Sequence, residues 1–252
     1  MTRWPHYAGP ALATFLIVAC GSNAFAYRPF DGTDAAVAEP GVVEIELGPA
    51  QYLQQGSDRA LVAPTVIFNY GIAERWEVVL QGELTHSLME DVRRTSLDSS
   101  GVFLKGVLRE GSLQGKPGPS IATEFGFLLP PINDDPANAS SGTGGSLAGI
   151  VSQQWSWMTV HLNVAAAITR QQTADGFVGV ILEGPRDWPL RPVAEVFYER
   201  DFGGLTTKSA LVGAIWQVRD NIAFDVGLRA AQVNDQPLRE VRFGVTFGFP
   251  VR

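Results

Sequence analysis

Apolar and polar residues alternate with period two in run after run along this chain. The last run is the clearest: Glu240-Val241-Arg242-Phe243-Gly244-Val245-Thr246-Phe247-Gly248-Phe249. Every odd position there is apolar or aromatic, and every even position is charged, small or polar. Such a stretch forms a β-strand with one face for lipid or a core and the other for water. Its length suits a tilted membrane strand of roughly 9–11 residues. The same phase appears in 221–233, where Ile222, Phe224, Val226 and Leu228 face away from Asp225, Gly227 and Arg229. It appears again where Trp76, Val78, Leu80 and Leu84 alternate with Glu77, Val79, Gln81 and Glu83.

Turn residues separate these runs. Gly71-Ile72-Ala73-Glu74-Arg75, Gln114-Gly115-Lys116-Pro117-Gly118, Gly184-Pro185-Arg186-Asp187, Asp201-Phe202-Gly203-Gly204 and Arg219-Asp220-Asn221 each join two strands into a hairpin. The candidate strands are 41–55, 61–70, 76–84, 102–109, 120–127, 146–155, 158–169, 176–184, 190–200, 208–217, 221–233 and 239–249. The pattern predicts an all-β fold, a transmembrane antiparallel up-and-down β-barrel of about 12 strands filling 41–252. An even count puts both chain ends on one side, the periplasm, and the polar stretches 88–100 and 130–145 outside the cell. Trp76, Trp155, Trp157, Trp188, Tyr198 and Trp216 fall near strand ends, as the aromatic girdles of a membrane barrel do.

The N-terminus assigns the compartment. Arg3 precedes a mostly apolar run from Ala8 to Ala19, and Ala24-Phe25-Ala26 is a small-x-small cleavage site, so residues 1–26 read as a removable signal peptide. Ile17-Val18-Ala19-Cys20 offers a second reading, a lipobox that would leave Cys20 lipidated. Cys20 is the one cysteine, so cleavage after Ala26 leaves neither a disulfide nor a thiolate site. Residues 27–40 read as an irregular periplasmic arm before the first strand. Past the signal no segment has the length and apolarity of a spanning helix, and only a closed barrel would carry this chain through a bilayer with every backbone group paired.

Charge then fixes what the polar face can do. Of 19 basic residues Arg3 leaves with the signal, so 18 face 26 acidic ones, a net charge of −8. No basic stripe for nucleic acid is present. The alternation sends Glu44, Glu46, Glu77, Glu83, Glu124, Glu183, Glu195, Glu199, Asp225 and Glu240 into the lumen, together with Lys105, Arg109, Arg191, Arg229 and Arg242. Mixed charge in a confined lumen either lines a water-filled channel or pairs off into a plug, and the acidic excess favours cations. Enzyme chemistry finds little to use. His86 and Ser87 point to opposite faces of a strand, no Gly-x-Ser-x-Gly elbow occurs, and His161-x-Asn163 lacks a serine at the matching offset. Two histidines on distant strands make a poor metal site, and no cofactor is called for.

Arg28-Pro29-Phe30-Asp31-Gly32-Thr33-Asp34, Ala38-Glu39-Pro40-Gly41 and Glu44-Ile45-Glu46-Leu47 carry a resemblance, together with Tyr70-Gly71-Ile72-Ala73-Glu74-Arg75-Trp76-Glu77 and Leu104-Lys105-Gly106-Val107-Leu108-Arg109-Glu110-Gly111. Over most of the mature chain the sequence resembles a family of outer-membrane transporters named after the meta-cleavage pathway of phenol degradation. The resemblance implies a twelve-strand barrel and uptake of hydrophobic or aromatic compounds, and it assigns no substrate-binding residues. Many such barrels end on an aromatic residue, whereas Pro250-Val251-Arg252 follow Phe249 here. The expected partners are outer-membrane lipids, the barrel-assembly machinery and a small solute. Two other functions fit the pattern: a structural or surface-interaction barrel with a charge-plugged lumen, and a soluble periplasmic barrel with its apolar face turned inward.

Overall fold

The structure, a computed structural model, describes residues 28–89, 94–133 and 142–251. The expected signal peptide with Cys20, and the loop pieces 90–93 and 134–141, lie outside the described residues. The strands are β1 (Val42–Gln55), β2 (Asp58–Ala73), β3 (Trp76–Ser87), β4 (Thr95–Arg109), β5 (Ser120–Leu128), β6 (Ile132–Asn133) and β7 (Gly144–Gln154). They continue as β8 (Thr159–Ile168), β9 (Ala174–Glu183), β10 (Leu190–Asp201), β11 (Leu205–Arg219), β12 (Ile222–Val233) and β13 (Gln236–Pro250). Twelve of them form a closed antiparallel wall in sequence order, and the two-residue β6 hangs on the start of β4 at Ser96 and Leu97. The wall closes where β1 meets β13, from Val42 opposite Pro250 to Gln55 opposite Leu238.

One rim of the barrel carries both chain ends and the turns near 74–75, 110–119, 155–158, 184–189 and 220–221. The opposite rim carries the connections near 56–57, 88–94, 129–143, 169–173, 202–204 and 234–235; these are called the chain-end rim and the loop rim below. Residues 95–100, expected as loop, instead extend β4 and pair with β3 from Glu83 opposite Asp98 to His86 opposite Thr95. Pairing in a closed wall satisfies the backbone whatever the side chains are, so polar strand continues past the apolar band.

The usual arrangement of a soluble protein is inverted. Val212 is 59% exposed, whereas Lys105 and Glu46 are fully buried. Leu162, Val196, Leu228 and Phe243 share the outward face with Val212, and Glu77, Glu195 and Thr246 share the inward one. A continuous outer surface of this kind would aggregate in water and is at rest in lipid. This rules out the soluble barrel with an apolar interior. Trp76, Trp155, Trp157, Trp188 and Trp216 are all exposed and all lie toward the chain-end rim, with the rings of Trp155 and Trp157 stacked at 6.3 Å. Tyr198 stands nearer the loop rim.

Candidate functional site

Residues 28–40, read from the sequence as a periplasmic arm, run inside the wall. An irregular segment has no strand partners, so its backbone groups must find others once buried. Here they find the side chains of the lumen. Arg28 N–H donates to Glu46 Oε2 at 3.0 Å, Asp31 N–H to Glu195 Oε2 at 2.9 Å and Gly32 N–H to Glu195 Oε1 at 2.7 Å. Thr33 N–H donates to Asn163 Oδ1 at 3.0 Å while Asn163 Nδ2 donates back to Thr33 O at 2.8 Å. Ala35 N–H reaches Ser152 Oγ at 2.9 Å, Ala38 N–H reaches Glu77 Oε2 at 2.7 Å, and Pro40 bridges to Gly71 on β2. The arm therefore sweeps round the inner wall, touching β1, β10, β8, β7 and β3 before it becomes β1 itself.

Three cations pin its charged residues. Arg242 donates through Nη1 to Pro29 O at 2.7 Å and through Nη2 to both oxygens of Asp31 at 3.0 and 3.1 Å, while its Nε bonds Glu240. Arg229 joins the same group, 2.9 Å from Glu240 and 3.7 Å from Asp31. Lys105 Nζ lies 3.4 Å from Asp34 and 3.5 Å from Glu77. Burial pushes the Asp31 carboxyl up, but Arg242 and Arg229 outweigh it and hold the group below its usual range. Burial likewise pushes Asp34 up, and Lys105 and His161 more than reverse it. Arg28 closes the near end: Nη2 donates to Phe243 O at 3.2 Å, and Nε lies 3.8 Å from Asp225. Its guanidinium fits because two strand positions lack side chains. A Cβ at Gly48 would stand 2.7 Å from Nη1, and one at Gly244 would overlap Arg28 Nε and the Asp225 carboxyl.

Of the charges expected in the lumen, Glu46, Glu77, Lys105, Glu195, Asp225, Arg229, Glu240 and Arg242 meet at the arm or at its anchors. Glu44 is buried beside them. Glu183 and Arg191 lie 3.8 Å apart at the chain-end rim. Glu83, bonded to Ser99 Oγ at 2.8 Å, lies farther toward the loop rim, as do Glu124 and Glu199. Arg109 is a correction: it is exposed, and its guanidinium bonds the carbonyls of Pro117 and Pro119 in the β4–β5 connection. The cause is a bulge. Val107 faces Ala122 and Arg109 faces Ile121, so one extra residue flips the strand's phase before Arg109.

A second correction concerns His161. Ser152 sits directly opposite it in the β7–β8 register, with Oγ 2.7 Å from Nδ1, and Nε2 is 3.1 Å from Glu183 Oε1. A search for serine along one strand misses this cross-strand pair, which folding the hairpin about residues 155–158 would have found. Ser152 is fully buried and accepts the Ala35 N–H, so the chain Glu183–His161–Ser152 holds the arm. His86, the other histidine expected in the mature chain, bonds Thr95 and the Ala63 carbonyl.

The loop-rim half of the lumen holds a cavity among the described residues. It measures about 520 Å³ and has the arm residues Phe30, Asp31, Gly32 and Thr33 as its floor. Its wall includes Ile67, Val79, Phe103, Leu128 and Phe177 together with Glu124, Asn163, Asp175 and Glu199, and Arg170 and Asp201 stand at its mouth. A second cavity of about 400 Å³ shares Phe30 and Asp31 and reaches Gln51, Glu83, Arg229, Glu240 and Arg242.

Neither a known protein family nor any curated protein matches the sequence. Solved structures match the fold. A KdgM porin is similar at a TM-score of 0.52 and 12% identity over 82% of this chain and 99% of that one. The same porin in complex with disordered oligogalacturonate gives 0.51 and 12% over 82% and 99%. An outer membrane channel from Pseudomonas putida F1 gives 0.53 and 12% over 85% and 97%. At that identity the likeness is one of architecture, and the architecture is that of outer-membrane barrels.

Proposed function

We propose that the protein is an outer-membrane channel for small aromatic or apolar solutes, shut toward the periplasm by its own arm. The observation that carries this reading is the cavity of about 520 Å³ at the loop rim, walled by Phe103, Phe177, Ile67 and Val79 and floored by Phe30. Pockets of a few hundred Å³ with aromatic walls and a few placed polar groups suit small organic molecules. The carboxyl groups of Glu124, Asp175 and Glu199 in the same wall favour a neutral or cationic solute. An anionic chain such as the oligogalacturonate of the porin complex would meet repulsion here. The resemblance to transporters of the phenol-degradation pathway points the same way as the aromatic lining. Export by the leader 1–26 and insertion by the barrel-assembly machinery belong to this reading.

Single-channel recording in a planar bilayer tests it, with the mature chain beside a version lacking residues 28–40. The mature chain should pass little current and the shortened one should open in steps that prefer cations. Addition of a small phenol on the loop side should then reduce the steps. Equal silence from both would overturn the channel reading. It would favour instead a structural barrel with a charge-plugged lumen, the second reading, which the many bonds to the arm support.

A further inference from the structure

The outer wall is not the same at its two rims. Toward the chain ends it carries exposed tryptophans. Toward the loops, six neighbouring strands, β2, β1, β13, β12, β11 and β10, end their outward apolar runs on Arg59, Gln54, Arg239, Gln232, Lys208 and Arg200. Arg59 and Arg239 flank Gln54 in one cross-strand row, and Lys208 stands opposite Gln232. None of the six is acidic, in a chain whose net charge is −7. Among the described residues Arg59, Arg239 and Lys208 have no ion-pair partner, although all three are exposed. On the far side of the barrel Phe127, Leu147 and Ile168 hold outward positions toward this rim.

A groove lies beside Arg239 and beneath Gln232 and Lys208. Ala230 is paired with both Arg239 and Ala210, and these two small side chains sit on the loop side of the row formed by Tyr52, Val241, Leu228 and Val212. The hollow measures about 560 Å³. An acyl chain would fill it, while Arg59 and Arg239, two strands apart at roughly 5 Å per strand, would converge on one phosphate and Lys208, two strands further on, would meet a second.

We infer that this face binds a phosphorylated lipid of the outer leaflet, one phosphate held by Arg59 with Arg239, a second by Lys208, and one acyl chain laid over Ala210 and Ala230. The inference rests on the membrane reading of the wall. Two observations support it independently: like charge gathered with no partner of its own, and an apolar hollow set beside Arg239 and one step below Lys208. A free phosphate would use the first and have no use for the second.

The test is native mass spectrometry of the refolded mature chain in a neutral detergent, titrated with bis-phosphorylated lipid A. The wild type should retain one lipid. Arg59→Gln, Arg239→Gln and Lys208→Gln combined should weaken retention by roughly a hundredfold, as expected for three lost charges at an anionic surface. Ala210→Leu with Ala230→Leu, which fills the groove and keeps the charge, should weaken it as well. Millimolar inorganic phosphate should not compete. A heat-dependent gel shift confirms that each variant is a closed barrel. Equal retention by the folded charge variant, or full competition by phosphate, would overturn the lipid site alone. Failure of the wild type to insert into vesicles of any composition would overturn the membrane reading, and the lipid site with it.

Discussion

The two halves of the lumen are built from the same kind of wall and do opposite things. Both alternate inward polar with outward apolar residues, and both carry carboxyl groups. In the chain-end half those groups are consumed: Glu46, Glu77 and Glu195 accept backbone N–H groups of the arm. In the loop-rim half Glu124, Asp175 and Glu199 face a cavity alongside Phe103 and Phe177. What separates a plug from a vestibule is therefore a partner for the wall, not its composition. Thirteen residues of irregular chain turn one half of a polar lumen into a packed interior.

Substitutions can break this division. The largest effect should come from Arg242→Ala, which removes the donors to Pro29 and Asp31 together and leaves Arg229 alone to balance Glu240 and Asp31. Breaking one side of such a group costs about 3–5 kcal/mol. In bilayer recordings the variant should approach the conductance of the chain lacking the arm. Glu195→Ala should come next, since it strands two arm N–H groups bonded at 2.9 and 2.7 Å. Bonds to a charged or strongly polar acceptor are worth about 1.5–3 kcal/mol each. Open events should rise by roughly a hundredfold or more, and Glu195→Gln, which keeps one acceptor, should recover part of the closure.

Gly244→Ala should act only on the near end of the arm. A methyl there competes with Arg28, and overpacking of this kind costs about 1–3 kcal/mol. Partial, flickering openings should result while the Glu195 anchor holds. Phe177→Ala touches the other half. It should weaken binding of a small phenol by a few fold, in line with about 0.5–1.5 kcal/mol for an aromatic pair, and leave the basal current unchanged. A current that rose with Phe177→Ala would mean that the two halves are not separate. Arg109→Ala should change least, within about 0.5 kcal/mol in stability and with no shift in ion selectivity, because its side chain lies outside the lumen.

The wall was legible in the sequence because its signal is local. Strict alternation in Glu240–Phe249 reports strand, face and length at once, and the same phase in Ile222–Leu228 repeats it. The inward placement of most of the charges follows from that phase alone. Arg109 did not follow, since one bulged residue between Val107 and Arg109 leaves no mark in the polarity pattern. The arm was not legible for a different reason. Its bonds join Asp31 to Glu195 and Thr33 to Asn163, far apart in the chain, and they use backbone N–H groups that every residue but proline has. Nothing in the composition of 28–40 distinguishes a segment that trails in solvent from one that lies inside. The pairing of Ser152 with His161 stood between these cases: hidden along either strand, and open once the hairpin is folded.

The seam between β1 and β13 has a consequence for how the molecule assembles. Each of the other wall contacts joins strands that follow one another in the chain, so they form as successive hairpins with short loops to close. The seam joins Val42 to Pro250 and bears the largest loop-closure entropy of all. It is the natural last event. The anchors of the arm are drawn from β1, β2, β3, β4, β7, β8, β10, β12 and β13, so the full set comes together only when the ring is complete. Docking of the arm thus reports on the closure of the whole wall, and a barrel joined out of register at any sector would lose the anchor contributed by that sector.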